Sequence, residues 1–315
     1  MLSNKDLFSY FLKKIKANDY KLYVFTNGVT IEKYLDIFKR YKKQIEAFQI
    51  TIDGPREIHD KLRVGKDYPK TFTLITNNID KLLKLRFKIN LRTNISKDNF
   101  TYLPGFAKFI ARKKWNKYKH FSSHIALIDN NTKDCSCINN PKSQSVKYIK
   151  KFREMAKKNP ELSLYKEENL YDDSQEFVMK IIKKRHNYPK ITYCMSCGGK
   201  SLTYAADGKI YSCMASVGID EFCLGEYYPK LLWNKTNLKK WKNRLSINMK
   251  KCKKCPLVFI CGGNCPLNSY NKYNDIYTPF CANAKKNLEE FVQLNEDRIL
   301  KFAKENAKEN RKGKN

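Results

Sequence analysis

The sequence is poor in histidine and in acidic residues, and it has no long apolar run. It contains 4 histidines and 31 Asp and Glu residues against 63 Lys and Arg, which gives a formal net charge of +32. No apolar stretch approaches the roughly 18 residues of a membrane-spanning helix, and no secretory leader is visible. The missing apolar run predicts no membrane partner. Unpaired thiols, of which the sequence has an odd number, fit a reducing cytoplasm, which is the expected location.

The excess of positive charge is a common signature of nucleic-acid binding. Basic residues alternate with aromatic ones at residues 112–120 and 183–188. Lysine, however, is spread along almost every predicted helix, whereas phosphate binding needs clustered basic side chains. The pattern therefore favours solvated helix faces over a nucleic-acid site, and it leaves open the attraction of an acidic peptide.

Cysteine, by contrast, is present in quantity and unevenly placed. Nine of the 11 cysteines lie beyond residue 190, and eight of these nine follow a fixed spacing. The pattern reads C-x2-C-x10-G-x4-C, then C-x2-C-x5-C-x3-C, then one more cysteine. Its residues are Cys194, Cys197, Gly208, Cys213, Cys252, Cys255, Cys261, Cys265 and Cys281. Eight thiolates are enough to hold two four-coordinate metal centres.

The ligand type narrows the choice of metal. Thiolates select zinc, Cu(I) or iron–sulfur clusters, and a C-x2-C turn brings two sulfurs to one centre. No histidine stands near these cysteines at zinc-finger spacing, and the x5 and x3 gaps are looser than usual zinc knuckles. The spacing favours iron–sulfur clusters and keeps all-cysteine zinc sites as the alternative. The odd number of cysteines argues against a disulfide framework.

Short apolar stretches with helical patterns between them recur in the amino-terminal half. They cover residues 21–28, 49–54, 87–95 and 121–129, and the intervening apolar faces fall at 31–45, 72–83 and 103–110. Each interval has room for one helix and two loops, so the pattern predicts βα units that build a parallel sheet. Function in such sheets gathers at the carboxyl ends of the strands.

The cysteine spacing over about residues 190–285 resembles the SPASM domain, the carboxy-terminal extension of radical S-adenosylmethionine (SAM) enzymes that modify peptides and proteins. The resemblance implies two auxiliary [4Fe-4S] clusters whose ligands interleave along the chain. One cluster would be held by Cys194, Cys197, Cys213 and Cys265, and the other by Cys252, Cys255, Cys261 and Cys281. For the intact family it implies SAM cleavage, hydrogen abstraction from a peptide or protein, and electron removal through the auxiliary clusters.

Several cysteines and one neighbour depart from the family pattern. Cys194 and Cys197 are closer together than in the sulfatase-maturating relatives, so one of them is a candidate spare thiol. Met214 follows Cys213, where those relatives carry an aspartate that serves as base, which argues against sulfatase oxidation by the same proton route. We interpret three further cysteines as non-ligands, with Cys223 packing as a small hydrophobe. The other two are Cys135 and Cys137.

A second resemblance lies at the strand ends of the amino-terminal half. Thr26-Asn27-Gly28, and Thr51-Ile52-Asp53-Gly54-Pro55 followed by His59-Asp60 and Arg63, resemble the third and fourth strands of the radical SAM barrel. The resemblance implies that Thr51 and Arg63 contact SAM. The alternative is that Thr51 is an ordinary strand residue and that Arg63 is a solvated charge at the start of a helix. Asp53 and Gly54 are predicted to set the turn.

Two family motifs are absent from residues 1–315. The chain contains neither C-x3-C-x2-C, which binds the SAM-cleaving cluster, nor a Gly-Gly-Glu-Pro-like segment. We therefore expect an amino-terminally truncated enzyme that lacks its first two βα units, on the order of 70 to 100 residues. SAM and a third [4Fe-4S] cluster are expected only when that segment is supplied, and the chain alone is expected to be inactive.

The expected fold class is α/β. An incomplete radical SAM (β/α) barrel over residues 1–130 is followed by a helical linker over 131–188, a small cysteine-rich α+β SPASM domain over 189–285, and a carboxy-terminal helix with a charged tail over 286–315. The expected function is that of a radical SAM/SPASM-type iron–sulfur oxidoreductase acting on a peptide or protein. Its electron donor would be a ferredoxin or flavodoxin. The alternative is a binding or structural module stapled by iron–sulfur clusters or zinc.

Overall fold

The structure, a computed structural model, describes residues 4–64, 70–128, 144–281 and 283–312. These residues divide into two compact units. The first unit comprises the residues up to Ile128 together with Lys147–Leu170, and the second comprises the residues from Tyr171 onward together with 144–146. Within the described ranges, no helix is long and apolar enough to cross a membrane. Cys135 and Cys137 lie outside the described residues.

A four-stranded parallel sheet forms the centre of the first unit, with its strands in chain order. The strands are β1 (Leu22–Thr26), β2 (Ile45–Thr51), β3 (Ile89–Ile95) and β4 (Phe121–Leu127). The helices are α1 (Lys5–Ala17), α2 (Leu35–Arg40), α3 (Arg56–Leu62), α4 (Phe72–Lys84), α5 (Leu103–Arg112) and α6 (Ser145–Lys158), most of which lies in this unit. The four predicted strands and their parallel arrangement are confirmed.

The two faces of this sheet differ in chemistry because side chains alternate along each strand. Val24, Ile50, Leu91 and Ile125 point to one face and are buried. Phe48 lies on the same face and packs edge-on against Phe38 of α2, with ring centroids 4.9 Å apart. The opposite face carries mostly polar side chains that are half-buried or exposed. The sheet therefore has one apolar face packed into the core and a second face that is more polar and less buried.

The segment between β1 and β2 differs from its prediction. The pattern at residues 31–45 predicts one helix, but the structure has the short α2 between two 3-10 turns, Ile31–Tyr34 and Lys42–Gln44. Ile45 is paired with Leu22 in the parallel ladder and opens β2. Hydrogen bonds in the strand ladder satisfy the backbone of Ile45 as well as helical hydrogen bonds would. Its apolar side chain therefore indicates a buried position and does not distinguish a helix from a strand.

The second unit combines a small antiparallel sheet with helices of 4 to 17 residues. The strands are β5 (Thr203–Tyr204), β6 (Lys209–Tyr211), β7 (Cys223–Glu226) and β8 (Leu232–Trp233), paired in that order. The helices are α7 (Asp173–Ile182), α8 (Lys235–Lys242), α9 (Val258–Cys261), α10 (Pro266–Tyr273), α11 (Ala284–Leu294) and α12 (Glu296–Lys312). Its core is built on Trp241, Phe222 and Tyr211, which are nearly or fully buried.

Two helix ends in this unit have clear physical causes. Asp172 caps α7, because its carboxylate accepts the backbone N–H groups of Ser174 and Gln175 while the Gln175 side chain accepts from the backbone of Asp172. The carboxy-terminal helix, predicted as one element, is divided at Asn295. That residue is 2 % exposed, and its side-chain amide donates to the carbonyl of Phe291 at 2.8 Å. This local bond competes with continuation of the helix.

Candidate cofactor sites

Asp53 organises a polar network at the carboxyl end of β2. Its carboxylate accepts a hydrogen bond from Arg63 Nε at 2.5 Å and one from the backbone N–H of Asn94 at 2.9 Å. Its own backbone N–H donates to His59 Nδ1 at 3.2 Å. Asp53 is 6 % exposed. Asp53 is expected from the sequence to set the turn after β2. Its carboxylate also holds the side chain of Arg63.

Thr51 and Arg63 are the two residues that the family resemblance assigns to SAM. Thr51 is the last residue of β2 and lies two positions before Asp53. Arg63 follows α3 and returns to the same strand end through its ion pair with Asp53, while its side chain remains 34 % exposed. In the part of the chain that the structure describes, the Nη atoms of Arg63 have no hydrogen-bond partner. They are therefore available to an anionic group.

A second buried amide, Asn99, fastens the ends of β2 and β3 together. Its Nδ2 donates to the carbonyls of Asp53 and Asn94 at 2.9 and 2.6 Å, and its Oδ1 accepts from the backbone N–H of Ser96. Asn99 is 2 % exposed. Its bonds fix where the two strand ends stand relative to each other. The sequence gives no signal for this role, because the partners lie 46 and 5 residues away.

The open face of the sheet carries a row of three side chains on neighbouring strands. Thr51 is in register with Arg92, and Arg92 is in register with His124. Arg92 Nε donates to Asn94 Oδ1 at 2.8 Å, and His124 Nδ1 lies 2.7 Å from Asn90 Oδ1. Burial lowers the pKa of His124, and the charge of Arg92 lowers it further. The row thus combines one hydroxyl, one fixed cation and one neutral imidazole.

Two aromatic side chains extend this face beyond the polar row. Tyr23 and Phe25 of β1 are 38 % and 67 % exposed, and their ring centroids lie 4.9 Å apart. Tyr23 Oη also accepts a hydrogen bond from Asn90 Nδ2 at 3.3 Å. Exposed aromatic rings beside fixed polar groups are typical of a ligand-binding surface. No sequence motif marks Arg92, His124, Tyr23 or Phe25, although alternation along the strands places them on one face.

The second unit contains the nine described cysteines, and all of them are free thiols. Three of the four that the resemblance assigns to the first cluster lie in one core: Cys197 is fully buried, and Cys194 and Cys265 pack against the same group of residues. Cys213 precedes the 3-10 turn Met214–Ser216. Within the described residues, its thiol makes no hydrogen bond to the other three.

Cys194 and Cys197 form a hydrogen-bonded pair, with their Sγ atoms 3.8 Å apart. This shared hydrogen bond lowers the pKa of the Cys194 thiol and raises that of Cys197. The backbone N–H groups of Cys197 and Ser196 also favour the thiolate of Cys194. Cys223 instead opens β7, packs against the core and lies 3.5 Å from the carbonyl of Gly225. It behaves as a small apolar residue.

The four cysteines assigned to the second cluster influence one another electrostatically. Burial raises the pKa of Cys252 to about 11, and the thiols of Cys261, Cys281 and Cys255 raise it as well. Burial also raises the pKa of Cys261 and of Cys281, and Cys255 contributes to both. Charge effects of this kind act over several ångströms, so they place Cys252, Cys255, Cys261 and Cys281 in the same region of the second unit.

A left-handed turn joins the last two cysteines of the C-x2-C-x5-C-x3-C run. Gly262, Gly263 and Asn264 have φ values of +63°, +85° and +58°. A Cβ on Gly262 would lie 2.5 Å from the carbonyl oxygen of Thr192, so only glycine allows the two backbones to approach. The turn therefore brings the segment before Cys194 against the loop between Cys261 and Cys265, two segments that the spacing alone leaves unconnected.

The chemistry of the donor set, thiols with burial and with backbone N–H groups directed at Cys194 and Cys261, is of the kind that suits iron–sulfur clusters. In the described ranges, no three His, Cys, Asp or Glu side chains are gathered closely enough to hold a single metal ion.

Comparison with known proteins identifies relatives that cover nearly the whole chain. No family model matches the sequence. The "cysteine-type anaerobic sulfatase-maturating enzyme" of Clostridium novyi (strain NT) is 25% identical over 310 residues, which is 94% of this chain and 77% of that protein. This relative confirms the resemblance to the sulfatase-maturating radical SAM enzymes that the cysteine spacing predicts.

Solved structures show the same fold at lower identity. Native anSMEcpe with bound AdoMet and the Cp18Cys peptide aligns with a TM-score of 0.64 and 16% identity, over 96% of this chain and 83% of that one. Streptococcus suis SuiB bound to S-adenosylmethionine aligns with a TM-score of 0.55 and 14% identity, over 87% and 62%. The α/β fold with a parallel sheet is therefore that of radical SAM/SPASM enzymes.

Proposed function

We propose that the chain is a radical SAM/SPASM-type iron–sulfur oxidoreductase that acts on a peptide or protein. The relatives support the general kind of enzyme, and anSMEcpe has been solved with AdoMet and a peptide bound. The observation that carries the proposal to this chain is the cysteine spacing, since Cys252, Cys255, Cys261 and Cys281 follow that of a SPASM ligand set. The close approach of Gly262 to Thr192 supports it, because it brings the loop between Cys261 and Cys265 against the segment before Cys194.

Two [4Fe-4S] clusters are proposed, one at Cys194, Cys197, Cys213 and Cys265 and the other at Cys252, Cys255, Cys261 and Cys281. Bound clusters of this type take up and release single electrons. The chain's own contribution is to bury Cys197 and Cys252, to shield most of the other sulfurs in part, and to direct backbone N–H groups at Cys194 and Cys261. A ferredoxin or flavodoxin is the proposed electron donor, and a reducing cytoplasm is the proposed location, since nine unpaired thiols suit it.

Metal and sulfide analysis tests this proposal. After anaerobic reconstitution we expect about eight irons and eight sulfides per chain. The Cys255→Ala variant should lose about half of the iron, since it removes a ligand of one cluster only. Cys223→Ala is the matched control, because Cys223 is outside both ligand sets, and it should retain all of the iron. Two zinc ions without sulfide, or equal iron loss in both variants, would contradict the assignment.

SAM is proposed to bind on the open face of the first sheet, near Thr51 and Arg63. The Nη atoms of Arg63 and the hydroxyl of Thr51 would orient the polar groups of the ligand, and Asp53 would hold Arg63 in place. Residues 1–315 contain no C-x3-C-x2-C. We therefore propose that this polypeptide by itself does not release 5'-deoxyadenosine from SAM.

The SAM proposal is tested in two steps. Chromatographic analysis of the reduced, reconstituted chain should show no 5'-deoxyadenosine, and fusion to a segment that carries C-x3-C-x2-C should restore its release. In the fused protein, Arg63→Ala should weaken SAM binding by about 1 to 3 kcal/mol, the value of one charged hydrogen bond. Arg56→Ala, which removes an exposed arginine of α3, should not. SAM cleavage by the unfused chain, or equal affinities in the two variants, would refute the assignment.

A second candidate is a metal-stapled binding or structural module. The 3.8 Å separation of the Cys194 and Cys197 sulfurs favours it. Two thiolates on one tetrahedral zinc ion stand about 3.8 Å apart when each bond is about 2.3 Å. Dithionite distinguishes the two candidates. Reversible bleaching of a brown protein supports clusters that transfer electrons, whereas a colourless zinc protein supports the binding or structural module.

A further inference from the structure

Arg244 is a buried cation with no carboxylate partner in the described residues. It lies two residues beyond α8, is 0 % exposed, and is among the largest fully buried side chains. A charge taken out of water costs several kcal/mol unless an opposite charge or a full set of hydrogen bonds offsets it. The surroundings of Arg244 must therefore supply that compensation.

The guanidinium of Arg244 donates to three separate segments of the second unit. Nε donates to the carbonyl of Ile276 at 2.7 Å, and Nη2 donates to the carbonyls of Gly263 and Asn264 at 3.4 and 3.1 Å. Nη1 points at Cys197 Sγ, 3.3 Å away. Each of these segments carries or adjoins a proposed ligand. A single side chain thus connects the first C-x2-C turn, the left-handed turn after Cys261 and the approach to Cys281.

The charge of Arg244 stands beside ligand segments of both proposed clusters. Nη1 lies 3.3 Å from Cys197 Sγ, a ligand of the first cluster. Nη2 bonds to Gly263 and Asn264, between Cys261 of the second cluster and Cys265 of the first. Three of its four acceptors are neutral carbonyls. The thiolate sulfurs are the negative groups that can balance the buried charge.

We propose that Arg244 is a positioning residue for both iron–sulfur centres: it holds the ligand-bearing segments together and supplies a buried positive charge that raises their reduction potentials. The inference rests on the proposed function, because it requires clusters at these cysteines. Reduction adds negative charge to a cluster that is already anionic. A nearby cation and an N–H···S hydrogen bond both stabilise the reduced form and so raise the potential.

Three variants test the role of Arg244. Arg244→Gln removes the charge, Arg244→Lys keeps the charge but loses the planar fork, and Lys242→Gln removes an exposed charge two residues away. Iron and sulfide are first measured in the unchanged protein. Zinc in place of iron there would refute the proposed function itself, before any variant is compared.

Redox titration of the reconstituted proteins, followed by electron paramagnetic resonance, then measures the midpoint potentials. We expect a more negative potential in Arg244→Gln and a potential close to that of the unchanged protein in Arg244→Lys. Lys242→Gln should cause no shift, because solvent and salt screen an exposed charge. An unshifted potential in Arg244→Gln with full iron content would overturn the proposal, and so would an equal shift in Lys242→Gln.

Circular dichroism of the iron-free variants separates positioning from folding. A folded Arg244→Gln protein that takes up less iron than Lys242→Gln supports the positioning role. Unfolded iron-free protein in both Arg244 variants, with Lys242→Gln folded, would show that Arg244 serves folding alone and would overturn the proposal.

Discussion

Asp53 illustrates how one buried carboxylate can fix a strand end. It receives hydrogen bonds from the charged Arg63 and from the backbone of Asn94, and Asp53→Asn removes the charge while keeping the shape. We expect the free energy of unfolding to fall by about 1.5 to 3 kcal/mol, the range for hydrogen bonds to charged groups. Urea denaturation measures it. Asp36→Asn, at an exposed position of α2, is the control, and an equal effect there would contradict this account.

His59 gives the first unit a predictable dependence on pH. Burial lowers its pKa, and the positive charge of Arg63 opposes protonation as well, although Asp53 and Asp60 act in the other direction. The unfolded chain therefore takes up a proton near pH 6.5 while the folded chain still resists it. Stability is fully present above about pH 6.5 and is lost as the pH falls from there towards the lowered folded value.

Urea denaturation at a series of pH values between about 7 and 5 tests this dependence. His59→Gln should flatten the curve in part, since His124, whose pKa burial also lowers, contributes with the same sign. His186→Gln, at an exposed site, should leave the curve unchanged. A curve in His59→Gln as steep as that of the unchanged protein would remove His59 from the explanation.

Some residues of the candidate sites could be predicted from the sequence and others could not. The cysteines could be predicted because they follow a recognisable spacing along the chain, and Thr51 and Arg63 because they belong to a short motif. Arg92 and His124 become neighbours only through strand register. Arg244 is joined to partners 47, 32, 20 and 19 residues away. No local pattern can report contacts that depend on how distant segments cross.

At the scale of elements, the strands were more predictable than the helices between them. Each predicted strand reappears as β1 to β4, because β-branched and aromatic residues next to turn residues carry a strong local signal. The predicted helix at 31–45 is reduced to α2, and the final helix divides at Asn295. In both places a tertiary or side-chain hydrogen bond outweighs the apolar period, which local sequence does not encode.

The left-handed turn after α9 allows a matched pair of substitutions. Gly262 and Gly218 both have positive φ, but a Cβ would meet Thr192 only at Gly262 and meets nothing within 4 Å at Gly218. Alanine at either site costs about 1 to 2 kcal/mol for the left-handed backbone. Gly262→Ala should cost a further 1 to 3 kcal/mol or so for the forced contact. Thermal unfolding of the second unit measures both, and equal losses would show that the contact is not tight.

The cap of α7 makes a second prediction at this scale. Asp172→Ala leaves the N–H groups of Ser174 and Gln175 without their acceptor, so stability should fall by about 0.5 to 2 kcal/mol. Asp172→Ser retains a capping oxygen and should recover most of the loss. Chemical denaturation followed by circular dichroism compares the two. A Ser variant no more stable than the Ala variant would indicate that the negative charge, and not the cap, matters.

At the scale of the whole molecule, the two units should respond differently to metal removal. The second unit has strands of two to four residues, and four of its cysteines lie in or against its main core, so metal binding should supply much of its stability. The first unit contains none of the proposed cluster ligands. Anaerobic chelation should therefore loosen the second unit and leave the parallel sheet intact.

Hydrogen exchange read out by mass spectrometry tests this difference segment by segment. We expect faster exchange across residues 190–281 after chelation and no change in β1 to β4. Exchange that stays equally slow in both units would show that the metal centres contribute little to folding. Faster exchange in the sheet as well would show that the two units do not unfold independently.

The crossing of Gly262 over Thr192 also bears on how the protein is made. The parallel sheet of the first unit is complete in sequence by Leu127, whereas this crossing joins residues 70 positions apart and needs Gly262 itself. At about 5 to 20 residues per second, synthesis from Leu127 to Gly262 takes roughly 7 to 27 s. During that interval the emerging Cys194, Cys197 and Cys213 have no finished fold around them. Survival of these thiols through translation therefore depends on the redox state of the compartment in which the ribosome works.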